Sequence, residues 1–516
     1  MRTNEKKLNG IVYTPSWVVK LILDNLDYIN HIYSKKIIDP ACGDGAFLSE
    51  VVARFIEDAR KSGLENSSIK NKIEENIFGF DIDEKVIKKC ISILDEVAEK
   101  YDIKNVNWNI LKTDSLNKSF VSKFFGLFDF VVGNPPYIRI QHLGRGRREK
   151  IQYDWYLCKK GSTDIYIAFF ELGYHLLNRN GKLGYITPNT YLKTKAGESL
   201  RNFIKFNKIL KTLIDFEHNQ LFEDATTYSL ITILDKNYRK NTFKLFKGNK
   251  EEISFIDEIN LNNLNNDNWI LTSNDISEKL NKIEKRGLPL GEIAKIHVGI
   301  TTLADDYYIF KDPVIRGEIA KIKLKDGREF KIEKDILKPI VKVSVLKHAN
   351  EDQNRFIIFP YKKIKDKHII IPEQELKEKF PLTYKYFKSI KEILDKRDKG
   401  KKNPVSWYAF GRSQGLDTSF GKKILTSPIN LKPNFIVWEK EEYTFYAGYC
   451  IKFDGDLHRL ADYLNSGDME FYIKHISRDY QNQYKSFAKS FIEKFGVDDP
   501  ILLSIKKYKE QQLLTF

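Results

Sequence analysis

The sequence predicts an α/β protein with a mostly parallel, seven-stranded sheet, helices on both faces, and a separate C-terminal α/β unit. Three observations carry this. Short β-branched or aromatic runs alternate with longer amphipathic stretches from residue 36 to about 235, the pattern of strand–helix–strand crossovers. Beyond residue 235 the alternation dissolves into charged and asparagine-rich sequence, with INLNNLNNDNW (259–269) its most turn-like piece. The chain has 516 residues, 42% apolar and 30% charged, enough for two or three cores and far from a disordered composition.

The seven strands are 36–40, 77–83, 107–111, 128–136, 182–188, 209–216 and 228–234, rich in Ile, Val, Phe and Leu. Between them, 46–60, 84–100, 164–178 and 196–207 repeat apolar residues at helical spacing. A further helix is expected in TPSWVVKLILDNL, with Thr14 as N-cap and Pro15 at the first position. The domains follow: 1–240, a linker or crossover at 241–290, and 291–516. The last alternates strand-like runs (KIHVGITTL, DYYIF, RFIIFPY, PNFIVW, GYCIKF) with short helices and has no internal repeat.

Charge narrows the partners. Lys and Arg number 86 against 70 acids, a formal +16, which favours a polyanion, although a generally basic chain would look the same. Residues 1–100 carry 15 basic and 17 acidic side chains, which leaves +18 on the remainder. Polyanion contacts therefore belong after the first strands. Cys42, Cys90, Cys158 and Cys450 are far apart with no CxxC spacing, so neither a disulfide framework nor a zinc ribbon is expected, and no metal site is assigned. No run approaches 18 apolar residues and the N-terminus lacks an apolar leader core; a cytoplasmic protein with no membrane partner is expected.

Chemistry gathers at the strand ends. The first runs into IIDPACGDGAFL, where Gly43 and Gly45 allow positive φ and close backbone approach just before a helix. No GK[ST] follows and the GxGxxG spacing is missing, and a purely structural turn would need the same glycines. The second ends in FGFDIDE, placing Asp81 to accept two hydrogen bonds from a ribose, while Asp83 suits an N-cap. The third ends in ILKTDSL, bringing Asp114 to the same crevice, where it could accept from an exocyclic adenine amine.

The fourth end, FDFVVGNPPYIR, is the most informative. Pro135 and Pro136 fix φ and donate no backbone hydrogen bond. They present the Asn134 side-chain oxygen and the Pro135 carbonyl as two acceptors for one amino group. Such a nitrogen is a poor nucleophile because its lone pair is delocalised. Two acceptors favour its pyramidal form and stabilise the positive charge of attack without a strong base. Tyr137 can stack on a planar group. The following loop, IRIQHLGRGRREK (138–150), holds Arg139, Arg145, Arg147, Arg148 and Lys150 against Glu149, suited to phosphate contacts or to a solvated face. Trp155, Tyr153 and Tyr156 follow and fit packing positions.

YTP (13–15), DPACGDGAF (39–47), the acid in FDID (80–83), TDS (113–115), NPPY (134–137), DIYIAFFELGYHLL (164–177) and GKLGYITPNTYL (181–192) stand in one order. The set, over roughly residues 9–235, resembles the TaqI-like adenine-N6 DNA methyltransferases of restriction–modification systems. The resemblance implies a Rossmann-like sheet binding S-adenosylmethionine. Thr14 and Pro15 would border the methionine end, held by Asp39, Ala41, Cys42, Gly43 and Gly45. Asp81 would take the ribose hydroxyls, with Ile82, Asp114 and Ser115 framing the adenine. Asn134, Pro135, Pro136 and Tyr137 would form the catalytic tetrapeptide around a flipped adenine. A second aromatic is expected within 220–234; Phe222 matches it, and equally fits a core position.

The C-terminal unit would then read double-stranded DNA, with Arg139, Arg145, Arg147 and Arg148 contacting the substrate. The chain would act as a monomer on DNA, with a cognate restriction endonuclease as a further partner and no N-terminal nuclease of its own. NPPY also occurs in RNA and protein-glutamine methyltransferases, and a subunit of a larger restriction complex is a further reading. The long, basic sequence after NPPY favours DNA.

Overall fold

The computed structural model describes residues 14–505 apart from 160, 162, 218–220, 222–227, 267, 352, 478–482 and 503. The chain divides into two compact units, Met1–Ser277 and Glu278–Phe516.

In the first unit, nine strands among the described residues form one mixed sheet: β1 (Ile37–Asp39), β2 (Ile77–Asp81), β3 (Asn109–Lys112), β4 (Phe128–Gly133), β5 (Leu177–Pro188), β6 (Leu210–Asp215), β7 (Ser229–Asp235), β8 (Thr242–Gly248) and β9 (Ile253–Asn260). Their order is β3-β2-β1-β4-β5-β7-β6-β8-β9. Neighbours are parallel from β3 through β5, and β7 runs antiparallel to both β5 and β6. The first seven coincide with the seven expected runs. β8 pairs parallel with β6, and β9 pairs antiparallel with β8, so the sheet has nine strands rather than seven. The interval 241–290, read from the sequence as a linker, thus contains two sheet strands and the helix Asn274–Glu284. Only Phe243, Leu245 and Ile259 of the two strands are fully buried. Edge strands of that kind are mostly polar and leave a weak hydropathy signal.

Helices α1 (Ser16–Asn25), α2 (Ala46–Lys61), α3 (Asn66–Asn76), α4 (Glu84–Glu99), α5 (Arg145–Asp154), α6 (Ile165–Leu176) and α7 (Glu198–Asn207) surround the sheet. Successive strand residues enter two different cores. Ile37, Phe130 and Val132 pack with α1–α4, while Ile38, Phe128 and Val131 pack with α6 and α7. Burial on both faces explains why the central strands read as continuous apolar runs. α1 begins at Ser16, with Pro15 at the N-cap position and no side-chain cap. The Thr14 hydroxyl is engaged elsewhere, accepting from Asn134, which corrects its assignment as the cap. α5 replaces much of the loop expected at 138–150; its one fully buried residue, Ile151, gives no apolar stripe to read.

The second unit is β-rich. One antiparallel sheet joins residues 294–298, 449–453, 423–426 and 436–438, and a mixed sheet joins 309–311, 355–358, 337–342 and 444–446, the last two strands running parallel. Aromatics dominate its main core, including Tyr308, Tyr386, Phe387, Tyr408 and Phe410. Among the described residues, no helix is long and apolar enough to cross a membrane.

Candidate active site

The sheet order reverses where the chain leaves β3 and returns to place β4 on the other side of β1. In open α/β sheets such a switch leaves a crevice at the carboxyl ends of the strands, where ligands bind. Here it holds a cavity of about 360 Å³, within the usual range for small-molecule sites of roughly 300–1,000 Å³. Its lining includes Thr14, Asp39, Ala41, Cys42, Gly43, Asp81, Ile82, Asp114, Ser115, Asn134, Pro136 and Arg147. Residues chosen from six separate stretches of sequence converge on one space.

Each carboxylate is fixed by main-chain amides. Asp39 Oδ1 accepts from Ala41 N at 2.9 Å. Asp81 accepts from Gly43 N at 3.1 Å and Asp83 N at 2.9 Å, which ties the glycine turn to the end of β2. Asp114 Oδ1 accepts from Leu116 N at 3.0 Å. Ser115 Oγ donates to the Pro40 carbonyl at 2.5 Å, joining the third strand end to the first. Asp83, as expected, caps α4 by accepting from Lys85 N at 2.8 Å.

Asp39 is buried, and desolvation pushes its carboxyl up to about 8; the Ala41 amide pulls it down and the charge of Asp81 raises it further. A cation entering the cavity would reverse that penalty. The Cys42 thiol is also held high, first by its contact with Cys90 and then by burial, so it is no nucleophile.

Two glycines permit close approaches around the site, one between strand ends and one between the glycine turn and α4. Gly133 has φ +149° and a Cβ there would lie 2.6 Å from Asp39 Oδ1, so any side chain would drive β4 away from β1. Gly45 has φ +92° and a Cβ would meet Cys90 Sγ at 2.9 Å. By contrast, a Cβ on Gly43 would meet nothing within 4 Å; its backbone faces open cavity.

Asn134 Nδ2 donates to Thr14 Oγ1 at 3.1 Å, a bond that fixes the amide plane. Tyr137 donates its hydroxyl to the Ile186 carbonyl at 3.4 Å and packs edge-on against Tyr166; burial raises its phenol above the ordinary value. Pro135 is buried. Pro15, Gly45, Pro135 and Tyr137 support the site without lining the cavity. Phe222 lies outside the described residues.

The basic segment differs among its members. Arg145 pairs with Glu149 at 2.8 Å and Lys150 with Asp154 at 3.2 Å, both within α5. Arg147 pairs with Asp114 Oδ2 at 3.2 Å and is the one arginine of the four that lines the cavity. Among the described residues, Arg139 and Arg148 form no salt bridge. Tyr153 and Tyr156 are 84% and 67% exposed, whereas Trp155 is buried, so packing accounts for the tryptophan alone.

Sequence reasoning did not single out Phe169 or Ile165, which form an apolar wall of the cavity from α6. They stand four residues apart and share a helix face; their spacing was visible, but α6 is apolar on nearly every side.

The fold is that of a solved restriction–modification enzyme. The structure of the type IIL enzyme MmeI in complex with DNA matches with a TM-score of 0.56 at 14% identity, covering 95% of this chain and 64% of that one. Residues 65–222 match the family model of the Eco57I restriction-modification methylase. The chain is similar in sequence to type II restriction–modification methyltransferases. It is 29% identical to the type II restriction enzyme and methyltransferase RM.Eco57I of Escherichia coli over 79% of its own length, and spans about half (48%) of that protein. It is 26% identical to the type II methyltransferase M.BstVI of Geobacillus stearothermophilus, covering 96% of this chain and 91% of that protein. The Eco57I-type match spans β2 through the end of β6, and so takes in Asp81, Asp114 and Asn134.

The cavity suits S-adenosylmethionine by its donor set. The cavity offers buried Asp39, the half-buried carboxylates of Asp81 and Asp114, an open glycine backbone and an apolar wall, groups and surfaces of the kinds an amino-acid end, a ribose and an adenine require.

Proposed function

We propose that the chain is a site-specific DNA methyltransferase of a restriction–modification system, transferring methyl from S-adenosylmethionine to N6 of an adenine flipped out of double-stranded DNA. The observation that carries this reading is the convergence of Asp39, Asp81, Asp114 and Asn134 on one cavity at the ends of four parallel strands.

When bound, S-adenosylmethionine supplies a methyl group on a cationic sulfur. The chain does the rest. Asp39 would hold the ammonium of the methionine end beside the Gly43 turn, Asp81 would accept from the ribose hydroxyls, and Ile82, Phe169 and Asp114 would hold the adenine. At the mouth, Asn134 Oδ1 and the Pro135 carbonyl accept from the two N6 hydrogens of the target base. They favour its pyramidal form and spread the charge of attack, so no general base is needed. Tyr137 lies under the target base, held in place by Ile186 and Tyr166. Flipping costs a few kcal/mol, offset by stacking and by phosphate contacts from Arg139, Arg145 and Arg148. The second unit reads the DNA sequence, and a cognate endonuclease acts on the same site.

The test is transfer of labelled methyl from S-adenosylmethionine to unmethylated duplex DNA, with RNA and total protein as competing acceptors, followed by mass identification of the nucleoside. N6-methyladenine in DNA is the expected product. Label confined to RNA or protein would retain the cavity and overturn the substrate.

A further inference from the structure

Among the described residues, Arg147 is the only cation between 139 and 150 whose carboxylate partner lies in the cavity rather than on its own helix. Its partner oxygen is also singular. Asp114 Oδ1 is taken by the Leu116 amide at 3.0 Å; Oδ2, 3.2 Å from Arg147 Nη2, is the oxygen left facing a ligand. On the reading above, that oxygen is the acceptor for the cofactor's adenine amine. Guanidinium and amine therefore want the same place.

The contest is lopsided. The side chains of Arg147 and Asp114 are 42% and 35% exposed, and ion pairs so open to water are weak. The amine arrives with the whole ligand behind it, already anchored at Asp39 and Asp81. α5, which carries Arg147, also carries Arg145, Arg148 and Lys150, and the cavity is lined here by Arg147 in its first turn and by Leu143 just before it. A guanidinium displaced from Asp114 stays on the basic helix.

We propose that Arg147 is a strap shared by two sites: held on Asp114 when the cavity is empty, it is displaced by the cofactor's adenine and then serves as an additional phosphate contact. The proposal rests on the assignment of the cavity to S-adenosylmethionine. Linkage makes the effect reciprocal: cofactor tightens DNA binding, and DNA tightens cofactor binding, by the same factor. Arg147 is thus a positioning residue that couples the two ligands, in contrast to Arg148, which contributes to DNA binding whether or not the cavity is filled.

The experiment uses the full chain, a mixed-sequence duplex, and S-adenosylhomocysteine as a probe that fills the cavity without reacting. Duplex affinity is measured against salt with and without the probe. One added phosphate contact steepens the slope of log K against log salt by about 0.9, so the probe should steepen the wild-type slope by that amount. Arg147→Gln should bind the probe but lose the increment, while Arg147→Lys should retain it. Asp114→Asn, which releases the strap, should show the steep slope with no probe present. A probe that binds while the wild-type slope stays unchanged overturns the strap. So does an Arg147→Gln variant that keeps the increment, or one that shifts melting temperature and affinity but leaves the probe's effect on slope intact. Failure of the probe to bind at all, by calorimetry, overturns the cavity assignment first and the strap with it.

Discussion

The cavity has two kinds of wall, and they are held by different means. On the strand-end side, Asp39, Asp81 and Asp114 each accept hydrogen bonds from main-chain amides of the sheet's own turns. On the other side stands the basic segment, of which Arg147 lines the cavity, and its cations are paired side chain to side chain: Arg145 to Glu149, Lys150 to Asp154 and Arg147 to Asp114, with both partners partly exposed in most of these pairs. Backbone-held carboxylates have paid their ordering entropy in folding and suit a small ligand of fixed shape. Exposed ion pairs contribute roughly 0–1 kcal/mol each and can re-pair at little cost, which suits an extended polyanion met in many registers.

The sharpest way to break this comparison is at the point where the walls meet. Asn134→Ala should leave cofactor affinity near wild type while methyl transfer falls by about two orders of magnitude or more, as for the loss of one preorganised polar group. Single-turnover assays with calorimetry separate the two effects. Near-wild-type transfer would remove Asn134 from the chemistry.

A second test uses the pH behaviour of Asp39. Its carboxyl, raised to about 8 by burial, is mostly neutral in the empty cavity at about pH 6.5, yet a bound ammonium demands the carboxylate. Cofactor binding should therefore release about one proton there, and affinity should rise as pH rises toward 8. Calorimetry in buffers of differing ionisation heat reads the proton directly; Asp39→Asn should bind weakly with no proton released. Binding by the wild type without proton release would contradict the assignment of the ammonium to Asp39.

The smallest effect belongs to the other wall. Arg148→Gln should flatten the salt slope of duplex binding by about 0.9, one phosphate contact, and weaken all sequences alike. A sequence-dependent loss would mean that Arg148 reads bases.

What the sequence made legible follows the same division. Strand ends were readable because buried parallel strands show as Ile/Val runs and their turns carry Gly, Pro and Asp for stated steric reasons: Gly133 sits against Asp39, and Asp83 caps α4. All seven expected strands exist, as do the helices at 46–60, 84–100, 164–178 and 196–207. Features with weak hydropathy signatures were less readable. α5 buries one residue fully, and β8 and β9 lie on a mostly polar edge, so the interval 241–290 read as a linker. Thr14 looked like a cap because caps are local, whereas its bond to Asn134 spans 120 residues. Within the second unit, each of the five strand-like runs contains a strand, but their pairing, such as 294–298 with 449–453, is set by contacts too distant for pattern reading.

The most direct test of the two-wall account is a crossed binding measurement on Asp81→Asn and Arg148→Gln. Loss of a hydrogen bond to a charged group costs roughly 1.5–3 kcal/mol, so Asp81→Asn should weaken S-adenosylmethionine about 10- to 100-fold and leave duplex affinity in the absence of cofactor unchanged. Arg148→Gln should do the reverse, lowering duplex affinity and leaving the cofactor's intact. Two variants that each weaken both ligands alike would contradict the separation on which the account stands.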